Sequence, residues 1–273
     1  AMATVFWLGV DKRLFYAMLL STAVGLCLMC GILAAELIIV GQQQGRLTWP
    51  YGDPLPGSYV AKVGLPIFTI MVAIAVSVPG RLAAFSGSFA LVTLLISLMT
   101  GERINFLIRA CGGMLAGLLW RPRWKRYFCL VALEVLAVVL LFRFMPTIQN
   151  RFVNQFIQQL PTDTDSPYAK AVLSGVEAFK SAPIFGIGPG NFRDMCLEII
   201  AGRTGYACHP HPHNFYVQML GETGLVGFIF GCVFVGSTIW ACFAASLKNR
   251  RNVFAATAWV IPFGLFWPIA STA

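Results

Sequence analysis

Long charge-free apolar runs recur along the whole chain, and they restrict its fold more than any other feature. A helix needs about 20 apolar residues, with a range of about 17 to 25, to cross a hydrocarbon core. Seven such segments are read here, over residues 14–41, 62–78, 82–100, 104–120, 127–145, 224–247 and 253–270. The chain is 58% hydrophobic and only 11% charged, where soluble domains carry roughly a quarter charged residues. No cleavable signal peptide explains runs that repeat from end to end. The expectation is an all-α, polytopic transmembrane helical bundle of about seven spans.

Charge orients the spans. Alternate connections hold Asp11, Lys12 and Arg13, then Arg81, then Arg121, Arg123, Lys125 and Arg126, then Lys248, Arg250 and Arg251. Ten basic residues face one acid there, so these connections carry the whole net charge of +9. Short basic loops stay on the cytoplasmic side. Connections 42–61, 101–103 and 146–223 then face outward. The basic balance is thus a topology signal, and no nucleic-acid partner is expected, because no soluble stretch mixes basic residues with exposed aromatics. The organisation expected is spans 1–5 over residues 1–145, a periplasmic loop over 146–223, and spans 6–7 over 224–273. The first residue is Ala1, and the chain stops at Ser271-Thr272-Ala273 at the edge of an apolar run. A piece of a longer protein is expected.

Residues 146–223 are too many for a plain connector. In Asn150–Leu160 the apolar Phe152, Val153, Phe156, Ile157 and Leu160 share one face, as suits a helix lying in the membrane interface or packed on a span. A second helix is predicted from Ser166-Pro167, a good N-cap followed by a proline suited to the first turn. Tyr168, Val172, Val176 and Phe179 form its apolar stripe, and Pro183 ends it. The run Gly186-Ile187-Gly188-Pro189-Gly190-Asn191 resembles a phosphate-binding loop only superficially. It follows no strand, and Pro189 lacks an amide. A tight turn allowing close backbone approach is expected instead. Cys196 and Cys208 are the only two of the eight cysteines placed outside, so a disulfide is expected. The other six lie in apolar runs and read as small hydrophobes.

All three histidines fall in His209-Pro210-His211-Pro212-His213-Asn214. Alternating histidines suggest zinc, but no carboxylate or cysteine stands out as a fourth ligand. One of them could instead take a proton from a hydroxyl, or all three could be structural. If one helix ran from His213 into the next span, Gly224 would lie about 20° from it around the axis and Gly227 about 40° the other way. His213 would then top a smooth glycine face. Arg103 sits at the outer end of the fourth segment and Arg109 about two turns deeper. Ionisable groups at membrane depth default to a functional reading, and arginine suits phosphate. Glu36 and Glu134 are candidate partners for Arg109 or Arg143.

Three stretches together carry a family resemblance. They are Pro183–Phe192, the run His211-Pro212-His213-Asn214-Phe215-Tyr216-Val217-Gln218, and Glu222-Thr223-Gly224-Leu225-Val226-Gly227. The His-Asn, nine residues, Gly-x-x-Gly pattern and Thr100-Gly101-Glu102-Arg103 resemble the O-antigen ligase and polymerase family, over most of residues 60–273. The resemblance implies a metal-independent, inverting glycosyltransferase that uses no cofactor. Its donor is a glycan on undecaprenyl diphosphate in the membrane lipid. Ligases pass the glycan to a lipid A-core sugar hydroxyl, and polymerases pass it to another repeat unit. By position, His213 matches the histidine that activates the acceptor, and Arg103 an arginine that holds the diphosphate. Asn214 accompanies His213 at the substrate. Where the family often has an arginine just after a serine, this chain has Ser166-Pro167-Tyr168. Lys170, Arg193 and Arg151 are the basic residues able to stand in for it. A transporter of lipid-linked glycans is the reading from another class. It would need no His-Asn at a loop-to-helix junction, and no inverted repeat is visible between the chain halves.

Overall fold

The computed structural model describes residues 12–52, 55–119, 123–158, 166–249 and 252–267. Asp11, Arg121, Arg250, Arg251 and Leu160, used above, lie outside them. The described residues are helical and irregular, with no strand beyond one isolated bridge between Gln43 and Arg46. They form two compact units: residues 1–141 with 250–257, and residues 142–249 with 258–273.

The first unit is built on α1 (Lys12–Ile39), α2 (Leu55–Ser58), α3 (Leu65–Ser77), α4 (Arg81–Met99), α5 (Arg103–Leu119), most of α6 (Trp124–Phe144) and α12 (Val253–Thr257). A π-helical turn, Tyr59–Val63, joins α2 to α3, and the two arms bend by 50°. Four described helices are long and apolar enough to cross a membrane, or five if the bent pair is one span. These make the chain a multi-pass membrane protein. Seven full-length spans are not found among the described residues. The second expected segment is broken at Gly64, the seventh is split into α12 and α13 (Val260–Leu265), and α5, with 17 residues, stands at the short end of the spanning range. Each break follows a residue that spoils continuity: Pro66 near the first, Pro262 within the last.

Small residues let these helices meet closely, as is usual in lipid. A methyl group at Gly113 of α5 would sit 2.6 Å from the ring of Phe68, and one at Gly117 would sit 3.0 Å from the ring of Tyr127. Two buried charged groups of this unit take backbone partners. Glu36 is fully buried and accepts from the amides of Thr48, at 2.8 and 3.0 Å, and Trp49, at 2.9 Å. It caps a turn. Arg109 is also fully buried; it donates to the Val60 carbonyl in the π-helical turn and lies 4.3 Å above the Phe68 ring. A carbonyl and an aromatic face meet it there, rather than the Glu36 carboxylate, and its Nε and Nη2 have no hydrogen-bond partner among the described residues.

The second unit holds α7 (Pro146–Phe152), α8 (Asn154–Gln158), α9 (Pro167–Ser181), α10 (Phe192–Ile199), α11 (Phe215–Lys248) and α13. The expected interfacial helix at 150–160 is two short helices that turn at Val153. α9 starts at the expected cap, with Ser166 accepting from the Ala169 amide. Its buried face differs from the expected stripe: Ala169, Ala171, Ser174, Gly175, Glu177 and Ala178 are inside, and the bulky residues are half-buried. The reason is close approach. A methyl group at Gly175 would meet Val217 at 2.6 Å, and one at Gly221 would meet the Gly175 carbonyl at 3.1 Å.

Candidate active site

Asn214 begins the site. Its side-chain oxygen accepts from the amides of Tyr216, at 2.9 Å, and Val217, at 3.1 Å, and so caps α11. Two of the amides that every helix start leaves unpaired are thereby satisfied. Upstream, Pro212 is buried against Gly175, where an added methyl group would lie 2.9 Å from its ring. His213 stands between these two fixed points with φ at +56°. A side chain in this left-handed region costs roughly 1–2 kcal/mol. Such strain persists only where the surroundings over-determine it, and it clusters at functional positions.

The three histidine rings gather on one spot. His213 lies 4.5 Å from His211 and 5.2 Å from His209, centroid to centroid. Tyr168, the first-turn residue of α9, meets His213 edge-on at 5.2 Å. Burial, then the neighbouring His211 and His209, push the His213 imidazole down to about 4 from its ordinary 6.5. It is therefore neutral near pH 7. Among the described residues, no group of three or more His, Cys, Asp or Glu is arranged to hold a metal ion.

The segment carrying the histidines is tied down upstream. Cys196 of α10 is bonded to Cys208, and both pack with Ala178, Phe192, Ile187 and Ile199. Glu177 of α9 accepts from Lys180 at 2.7 Å, from Arg203, and from Tyr206 at 3.3 Å. The Lys180 hydrogen bond, with Arg203 beside it, holds its carboxyl below the usual range. Ser174 donates to the Ala207 carbonyl at 3.0 Å. α9 thus fixes both sides of the stretch that precedes His209. The sequence signal for Glu177 was weak, a lone acid on an otherwise small-residue helix face.

The other expected residues fall as follows. Arg103 is the first residue of α5, in the first unit, where its guanidinium adds to the positive end of the helix dipole. The turn before it is anchored: Glu102 pairs with Arg46 at 3.0 Å, and Asn105 donates to Ser58 at 3.1 Å. Lys170 lies about 200° around α9 from Tyr168, on a different side from the ring that touches His213. Arg193 is exposed on α10.

α11 does not run through as one straight helix. Gly224 has φ 64° and ψ −168°, and the helix breaks there. The projected angles from His213 to Gly224 and Gly227 therefore do not apply. Gly224 is the break, and Gly227 packs on Thr223. The glycine run 186–190 fills that break. Its Ile187 and Gly188 amides donate to the carbonyls of Gly221 and Glu222 at 3.1 and 2.9 Å, which leaves them engaged with the helix.

A family model described as O-antigen ligase matches residues 87–232, just over half of the 273 residues. The matched stretch contains Arg103, α9, the glycine run, the histidines and the Gly224 break. No curated protein matches the chain.

Proposed function

The chain belongs to the O-antigen ligase family, and from that premise we propose that it moves a glycan from undecaprenyl diphosphate to a sugar hydroxyl of lipid A-core at the periplasmic face of the inner membrane. The family gives a ligase- or polymerase-type membrane protein of lipopolysaccharide synthesis. The observation that carries the finer reading is His213: neutral, strained, and held between a buried proline and a capping asparagine.

In the proposed reaction the acceptor hydroxyl gives its proton to His213 as its oxygen bonds to the anomeric carbon of the donor sugar. The bond from that carbon to the phosphate oxygen breaks, and undecaprenyl diphosphate leaves with the electron pair. Attack opposite the leaving group inverts the anomeric centre. Arg103 stabilises the charge growing on the diphosphate, in the manner of fixed guanidinium groups aimed at a leaving group. Lys170 and Arg193 are the loop's basic residues for a second phosphate contact, and Asn214 keeps His213 in place. No step calls for a metal.

Complementation tests this reading. The full-length gene is expressed in cells lacking their own ligase, and lipopolysaccharide is resolved on a gel. Core capped with glycan supports the ligase. Bare core with lengthened lipid-linked chains shows the family's other reaction, polymerisation. Bare core with no lengthening sinks both.

A further inference from the structure

α11 has 34 residues, about 51 Å of helix, where a hydrocarbon core is about 30 Å thick. The break at Gly224 divides it. Leu225–Lys248 is about 36 Å long, close to one crossing, and Phe215–Thr223 is left on the side of the histidines. A helix broken at the edge of lipid leaves amides and carbonyls that water cannot reach cheaply. Here another backbone serves them. Leu225 and Val226 donate to the carbonyls of Pro183 and Ile184 at 2.9 and 3.2 Å. On the other side of the break, Gly221 and Glu222 accept from Ile187 and Gly188. Approach is so close that a methyl group at Gly186 would lie 2.3 Å from the Glu222 carbonyl carbon, and one at Gly224 would lie 2.3 Å from the Ile184 oxygen.

Residues 183–188 are therefore fastened by four hydrogen bonds across the break, two of them to the first turn of the membrane-crossing segment Leu225–Lys248. Their side chains match that position. Ile184 is 61% exposed and Phe185 75%. Beside them on α11, Leu225 is 50% exposed and Phe230 72%. The stretch from Ser181 to Phe192 contains no charged residue, although Lys180 and Arg193 flank it. We infer that the Ile184-Phe185 tip is inserted into the bilayer leaflet on the side of the histidines, where it anchors the site to the acyl chains of phospholipid. The occupant is lipid because the tip's backbone is bonded to Leu225 and Val226, where the exposed apolar surface of the crossing helix Leu225–Lys248 begins. The glycines of this run allow the close fit, and the apolar tip gives it a place to rest.

Spin-label accessibility tests the anchor. The full-length protein, with every cysteine other than Cys196 and Cys208 replaced by alanine, carries a nitroxide at Phe185→Cys and is reconstituted in phosphatidylcholine–phosphatidylglycerol vesicles. Oxygen should relax this label several-fold more effectively than a water-soluble nickel chelate, as at a Phe230→Cys control. A nickel-dominated response, as at an exposed Asp194→Cys control, overturns the inference. So does spin–spin broadening that disappears on dilution with unlabelled protein, because a second copy would then cover the tip. Ile184→Cys supplies a second label site. Only its backbone bonds to α11, so the substitution leaves that bond in place.

Discussion

Tyr168 meets the imidazole of His213 edge-on, with ring planes at 74°. The contact joins the first turn of α9 to the residue just before the cap of α11. It fixes the orientation of a ring whose own backbone is strained. An edge-to-face pair is worth about 0.5–1.5 kcal/mol beyond its buried area. Tyr168→Phe keeps the pair and should transfer glycan within about threefold of the parent. Tyr168→Ala loses it and should fall about tenfold, since roughly 1.4 kcal/mol is a factor of ten. Initial rates with a fixed donor concentration decide this. Equal rates for Phe and Ala would show that the ring contact does not position His213.

Removing His213 should be far more damaging. A positioned base contributes about a hundred- to ten-thousandfold, so His213→Ala should lose at least about a hundredfold in transfer while membrane insertion is unchanged. His213→Asn should fare no better, although asparagine tolerates the left-handed backbone well. Transfer at the parental rate in either variant would remove His213 from the mechanism.

The acid limb of the rate profile should report the same ring. With the imidazole pushed down to about 4, it stays neutral at pH 5.5, and transfer should hold its rate well below the ordinary histidine value of 6.5. The stability term runs in the same direction. The unfolded chain binds this proton first, so its contribution is complete above about 6.5 and is lost as pH falls towards 4. Replacing His211 or His209 with alanine removes a neighbour that lowers His213, and should move the limb upward. A parental limb near 6.5, or no movement in those variants, would contradict the environment described.

Chelation separates the two chemistries that clustered histidines allow. The guanidinium-assisted transfer proposed above should keep its rate in EDTA. A loss restored by added zinc would instead make His209, His211 and His213 ligands.

The glycines give a graded stability series. Gly224→Ala combines a left-handed backbone with a methyl group driven onto the Ile184 carbonyl, and Gly186→Ala does the same against Glu222. Gly190→Ala shares the positive φ but meets nothing within 4 Å. It should cost about 1–2 kcal/mol, the conformational part alone, and the other two substantially more. Thermal unfolding in detergent checks the order. A Gly224→Ala melt equal to that of Gly190→Ala would mean the close approach is absent.

What the sequence revealed was mostly local. The Ser166-Pro167 start of α9 is written in one turn, and the apolar segments 14–41, 82–100 and 127–145 match α1, α4 and α6 to within three residues. What stayed hidden depends on distant partners. Glu36 reads as an intramembrane ion-pair candidate until the amides of Thr48 and Trp49 are seen on its carboxylate. The break at Gly224 is invisible to a helical projection, which assumes each amide bonds within its own helix. Here the Val226 amide goes to Ile184. The buried face of α9 was misjudged because hydrophobic bulk was weighed, whereas Gly175 and Gly221 select for the absence of a side chain. Of the proposed site, His213 and Asn214 rest on the resemblance that their spacing carries, whereas Tyr168 as the ring beside His213 is visible only in the fold.

The helical piece Phe215–Thr223 has one more consequence. It acts as a ruler between the break and the histidine, with nine residues giving a reach of about 13 Å. Adding or deleting one residue would shift His213 by about 1.5 Å along that axis and swing it by about 100°. The reach therefore cannot be tuned smoothly. A change of four residues brings the facing back to within about 40°, and a change of seven to within about 20° while moving His213 by about 10 Å. The spacing between the Gly224 break and His213 is thus set in steps by helical pitch.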